Sequence, residues 1–76
     1  MITYSETADA LYVQLLEDEV KRTAPIDDLR IVDYNAAGAV VGVEFIGISD
    51  GIDLQDVPER ERIEVLVRRL QFPIFA

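Results

Sequence analysis

The stretch from Leu29 to Ser49 constrains the fold most. LRIVDY and AVVGVEFIGIS flank Asn35-Ala36-Ala37-Gly38, with Asn at the first position of a type I turn and Gly at the fourth. That arrangement predicts a β-hairpin with a three-residue loop, in which Gly38 takes the left-handed conformation as a bulge. Pairing Asn35 with Ala39 sets Tyr34 opposite Val40, Ile31 opposite Val43, Arg30 opposite Glu44 and Leu29 opposite Phe45. One face would then carry Leu29, Ile31, Val41, Val43 and Phe45, with Asp33 near the turn. The other would carry Arg30, Val32, Tyr34, Val40, Gly42, Glu44 and Ile46. The first face is the expected core. A cross-strand Arg30–Glu44 pair contributes about 0.2–1 kcal/mol towards this register, and a slip of one residue would turn every side chain to the opposite face.

The rest of the chain must bury against that hairpin. Seventy-six residues make a single domain, of a size that buries only about 60% of its unfolded surface, so association between chains would add needed stability. Ile2-Thr3-Tyr4 and Ala8 to Leu16 read as strands around a Ser5-Glu6-Thr7 turn. Leu11, Val13 and Leu15 alternate with Tyr12 and Gln14. A helix over Glu6 to Leu16 is the rival reading, disfavoured by the β-propensity of Leu-Tyr-Val-Gln-Leu. Val20 to Ala24 is a third strand, and Pro25, unable to donate to a ladder, marks its end or a sheet edge.

Beyond the hairpin, Asp50 to Asp56 reads as a connecting loop and 57–71 as a helix. Asp56 suits the N-cap, Pro58 the first turn, and Glu59 the third residue of a capping box. Ile63, Leu66, Val67 and Leu70 form one apolar stripe, and Glu64 to Arg68 is an i,i+4 ion pair in the favourable order. The expected fold class is therefore α+β: an antiparallel β-meander of four to five strands over 1–49, with one C-terminal helix packed on one face. The apolar tail 72–76 holds two of the three phenylalanines and folds back over the core or docks on another subunit.

The residue inventory narrows the chemistry. There is no cysteine and no histidine, so disulfides, thiolate or imidazole metal sites and the common nucleophile–base arrangements are excluded. Carboxylate chemistry is what remains, on Asp9, Asp33 and Glu44 above all, and nothing in the sequence holds two of these at a working separation. Asp33 beside the turn is expected to accept bonds from turn amides. Asp50, Asp53 and Asp56 recur at every third position, which does not match the alternate-position acids and closing Glu of a calcium loop. No catalytic residue, metal ligand or cofactor site is therefore assigned.

Net charge is −8, and residues 1–56 hold twelve acids against three bases. Such a field repels nucleic acid and attracts basic partners. The start lacks the basic and apolar regions of a signal peptide, and no run is long enough for a membrane helix, so a cytoplasmic location is expected. Tyr4, Tyr12 and Tyr34 are expected to share the sheet face that one helix cannot cover, and a homodimer is expected there. With Val40 and the tail's Phe72 and Phe75, they are the candidate interface residues.

ITYSETADALYVQL, VKRT and IVDYNAAGAVVGVEF together resemble the small bacterial family called domain of unknown function 2283, over about residues 2–49. Tyr4, Asp9, Ala10, Leu11, Tyr12, Asp33, Tyr34, Gly38 and Gly42 carry the resemblance. It implies a small β-meander with a C-terminal helix, no assigned activity and, for some relatives, an antitoxin-like place in a two-gene module. The expectation is a non-enzymatic interaction module that neutralises a small basic partner; the alternative is a carboxylate-based metal-binding protein or small enzyme.

Overall fold

The structure, a computed structural model, describes residues 1–75. Ala76, the last residue of the expected tail, lies outside them. Five antiparallel strands form the main sheet: β1 (Ile2–Ser5), β2 (Ala10–Gln14), β3 (Arg22–Asp27), β4 (Arg30–Tyr34) and β5 (Val40–Ile46), in the order β1-β2-β5-β4-β3. The hairpin β1–β2 thus packs beside the meander β3–β4–β5, and β5 is the central strand. Pro25 does not end β3 but lies within it, at the sheet's edge. A 3-10 turn (Ile48–Asp50) leads to a two-residue strand, β6 (Ile52–Asp53). Then come a helix, α1 (Arg60–Val67), and β7 (Ile74–Phe75), which pairs with β6 in parallel.

The tail therefore folds onto its own chain. Ile52 N–H donates to Pro73 O at 2.7 Å and Leu54 N–H to Phe75 O at 2.6 Å. Residues 1–49 make the whole main sheet, and the remainder supplies the cover. Leu11, Val13, Val32, Val43 and Phe45 from the sheet close on Ile48, Ile52, Leu54, Val57, Ile63 and Val67, all buried. Each such side chain removed from water contributes about 1.5–3 kcal/mol.

The hairpin forms as expected at its turn and departs from expectation above it. Gly38 has φ 85°, Asn35 N–H bonds to Ala39 O at 2.9 Å, and Tyr34 stands opposite Val40. Asn35 Oδ1 also accepts from Ala37 and Ala39 N–H. Between Asp33 and Tyr34 the register shifts, so Asp33 faces Gly42, Val32 faces Val43, Ile31 faces Glu44 and Arg30 faces Phe45. Val41 is the extra residue of this bulge, and its carbonyl accepts from the Leu15 and Leu16 amides instead.

One inserted residue leaves β5 facing as expected and inverts β4. Val32 and Arg30 point to the core, whereas Ile31 is half-buried on the opposite face and Leu29 is 53% exposed. The expected Arg30–Glu44 pair does not form. Arg30 bonds to Asp27 in its place.

The helix is shorter than expected and starts later. Asp56 does not cap it: Asp56 and Glu59 both have positive φ, at 63° and 59°, and no side chain caps the helix start. Leu54 and Val57 explain the delay. Both are buried, with Val57 N–H turned back onto Leu54 O at 3.2 Å, and Val57 precedes Pro58, which disfavours a helical backbone there. From Arg60 on the stripe behaves as expected: Ile63 and Val67 are buried, Leu66 and Leu70 pack partly on the core, and Arg68 bonds to Glu64 at 2.9 Å.

Candidate functional site

The three tyrosines do not share a face. Residues directly opposite in a ladder lie on one face, so Tyr4, opposite the core residue Leu11, stands on the helix side, while Tyr12, opposite Thr3 and Glu44, stands on the open side. Tyr4 stacks against Phe72 with ring centroids 5.8 Å apart. Tyr34 and Val40 close the rim of the core near the turn, and the Arg22 guanidinium sits 4.1 Å over the Tyr34 ring. Phe75, 53% exposed, lies at the far end against Gly51. The six candidate interface residues thus fall into separate places.

Tyr12 organises the open face. Its hydroxyl donates to Asp33 Oδ2 at 2.9 Å, and Thr23 Oγ1 donates to Asp33 Oδ1 at 2.7 Å, linking β2, β4 and β3 across the sheet. The Asp33 carboxylate therefore serves side chains of two other strands, not the turn amides expected of it. The ring lies over Gly42, where a Cβ would fall 2.5 Å from Tyr12 Cζ. The gap at Gly42 is filled from within the chain. Burial, the bond to Asp33 and the negative charge of Asp33 and Glu44 push the Tyr12 hydroxyl up to about 12. It is a fixed donor at neutral pH.

Asp9 holds a different junction. In the left-handed conformation (φ 50°), it accepts from Ser49 N–H at 3.0 Å and Ser49 Oγ at 2.7 Å, while its carbonyl accepts from the Gly47 and Ile48 amides. Asp53 Oδ1 accepts from Gln55 N–H at 2.9 Å. Asp9, Asp33 and Glu44 are not gathered, and among the described residues no group of three or more acidic side chains is placed to hold a metal ion.

Arg30 is the residue that sequence reasoning misplaced, expecting it on the open face opposite Glu44. It is 8% exposed; Nε and Nη2 donate to Asp27 Oδ2 at 3.1 and 2.8 Å, and Nη1 donates to the carbonyls of Asp53 (3.2 Å) and Gln55. Hydrogen bonding to Asp27 raises the guanidinium pKa further, and the same bonds hold the Asp27 carboxyl below its usual range. A lone base between Arg22 and Arg60, in a strongly acidic stretch, was the available signal.

Beside Arg30 opens a cleft of about 290 Å³. Exposed Leu29 and Phe75 form its apolar walls, with Ile46 and Gly51 between them, and Asp27, Asp50 and Asp53 supply its carboxylates. Arg30, its base, is already engaged. Such a site suits a cationic side chain with an apolar stem.

Among the described residues, no helix is long and apolar enough to cross a membrane. A family model described as "Protein of unknown function (DUF2283)" matches residues 1–49, well over half of the chain. No curated protein and no solved structure matches.

Proposed function

Since the chain belongs to the DUF2283 family of proteins of unknown function, we propose, from its charge and its cleft, that it is a non-catalytic interaction module. It neutralises a small basic protein, as an antitoxin-like half of a pair would. The observation that carries this reading is the cleft, in which the exposed apolar side chains of Leu29 and Phe75 stand beside Asp50 and the Asp27 and Asp53 carboxylates that flank Arg30.

The charge distribution supports the same reading. Lys21 pairs with Glu19 at 3.0 Å, Arg30 with Asp27, Arg62 with Glu59 at 3.5 Å and Arg68 with Glu64, and Arg22 lies on Tyr34. With most bases occupied internally, the surplus acids set the outward field, which speeds encounter with a cationic partner.

The test is affinity recovery of the full chain from its native host at low, moderate and high salt. A small basic polypeptide should be recovered in stoichiometric amount at low salt, released at high salt, and lost with Asp50→Lys or Leu29→Lys. Recovery of no basic protein at low salt, or undiminished recovery by both variants, would refute the proposal.

A further inference from the structure

The two edges of the main sheet are built differently. In antiparallel ladders, alternate residues exchange both backbone bonds with the strand opposite, and those between them point the other way. Met1 and Gln14 exchange bonds of 2.9 and 2.7 Å. The bonded pairs that follow are therefore Thr3 with Tyr12 and Ser5 with Ala10, and the N–H and C=O groups of Ile2 and Tyr4 face outward.

At the opposite edge, Ile46 N–H bonds to Leu29 O, so in β4 Arg30, Val32 and Tyr34 turn their backbone groups to β3. Thr23 and Pro25 are left facing outward. Pro25 has no N–H to offer, a register shift follows it, and the charged residues Arg22 and Asp27 begin and end the strand. These are the features by which proteins blunt an open edge. β1 itself, Ile-Thr-Tyr-Ser, contains no proline, no charged side chain and no bulge; only its length of four residues limits the open edge.

We propose that β1 is the docking edge for a second copy of this chain. The two β1 strands pair antiparallel about a two-fold axis at Thr3, joining two five-stranded sheets into one. The strand's length selects the register. With Thr3 facing the partner's Thr3, Ile2 stands opposite the partner's Tyr4, and the outward groups of both strands meet in reciprocal bonded pairs. Shifting by one residue would set Ile2 against the partner's Ser5, whose N–H and C=O already bond to β2.

Side chains fit the same arrangement. Ile2 and the partner's Tyr4 meet on the helix side, where Tyr4 is 48% exposed and already stacked on Phe72. An aromatic facing a β-branched residue is a favourable cross-strand pair. An interface of this kind is isologous and closed, so it stops at two. It goes beyond the proposed neutralisation and uses a different surface: the cleft beside Arg30 lies at other strands and stays open.

Charge separates the two proposals. β1 is uncharged in a chain of net charge −8, so repulsion between copies comes from more distant groups that salt screens. The homodimer therefore tightens with salt, whereas a complex with a basic partner loosens.

Sedimentation equilibrium of the full chain, from low micromolar to submillimolar concentration, should show a mass rising from 8.6 kDa to twice that value, at lower concentration in moderate salt than in low salt. Hydrogen exchange should show the Ile2 and Tyr4 amides becoming protected as concentration rises, with Thr23 unchanged. Thr3→Lys sets two ammonium groups side by side at the axis on the open, exposed face, and should weaken dimerisation about tenfold without altering monomer unfolding. A wild-type mass fixed at that of one chain, Ile2 and Tyr4 exchange indifferent to concentration, or Thr3→Lys dimerising as tightly as wild type would each overturn the proposal.

Discussion

Gly42→Ala is the substitution whose sign depends on one neighbouring ring. The added Cβ would lie 2.5 Å from Tyr12 Cζ and 2.7 Å from Cε2, closer than real contacts allow. Because the ring is held at Asp33 by a 2.9 Å bond, it must give up that bond to move away. Losing a hydrogen bond to a charged acceptor costs about 1.5–3 kcal/mol. Replacing Gly by Ala inside a strand returns about 0.5–1 kcal/mol of backbone entropy. The net expectation is destabilisation by about 1–2 kcal/mol, or roughly 4–15 °C in melting temperature for a domain of this size. With Tyr12→Ala already present, the ring is gone and the same Gly42→Ala change should be neutral or stabilising by about 0.5 kcal/mol. Urea unfolding of the four members of this cycle gives the coupling directly, provided the slopes agree. Equal cost of Gly42→Ala in both backgrounds would show that the close approach of Tyr12 is not what requires glycine.

Four further outcomes are expected. Arg30→Ala leaves the Asp53 and Gln55 carbonyls without a donor and Asp27 without its ion, and should cost about 3 kcal/mol by chemical denaturation. The Asp27 carboxyl is held below its usual range, so its contribution is present above the unfolded value near 4 and lost as pH falls through the lower folded value. Asp27→Asn should flatten that acid limb of the thermal stability curve. For Tyr12 the sign is reversed. An acid whose folded pKa is raised to about 12 contributes stability below the unfolded value near 10, and loses it as pH rises from there to about 12. Absorbance titration should show one tyrosine ionising late, and Asp33→Asn should bring it earlier. Val43 is fully buried in the central strand, so Val43→Asp strands a charge in the core and should abolish cooperative unfolding by circular dichroism.

The close approach of Tyr12 to Gly42 and the bulge at Val41 bear on where a partner binds. A glycine in a strand leaves room for close approach, and here Tyr12 occupies that room. The exposed face of the sheet is consequently self-contained around Asp33, whereas the exposed apolar groups include Leu29 and Phe75 at the cleft and Tyr4 at the β1 edge, with Met1, Leu16, Val20 and Val65 standing elsewhere. Contacts with other molecules are accordingly proposed at the end and the edge of the sheet.

Local chemistry determined a good deal. Asn35 and Gly38 specify their turn wherever it is placed, because Asn bonds its own following amides and Gly accepts positive φ. The alternation of Leu11, Val13, Val43 and Phe45 marks an inward face because period 2 is a property of the strand itself. The stripe of Ile63 and Val67 marks a helix for the same reason at period 3.6. LRIVDY is different: Leu29 and Ile31 on one face and Val32 and Tyr34 on the other are nearly equal in apolarity, so pattern could not choose between them. Tertiary structure chose, through a bulge that turns Arg30 inward, where Asp27 and two carbonyls from the distant 53–55 segment take its donors. The helix start followed the same rule. Asp56, Pro58 and Glu59 form a local capping signal, but burying Leu54 and Val57 outweighs a cap worth about 1 kcal/mol. The tail's place on β6 also depended on what lay opposite it. Where a residue's role is set by its own backbone, the sequence suffices; where it is set by which groups meet across the fold, only the assembled chain decides.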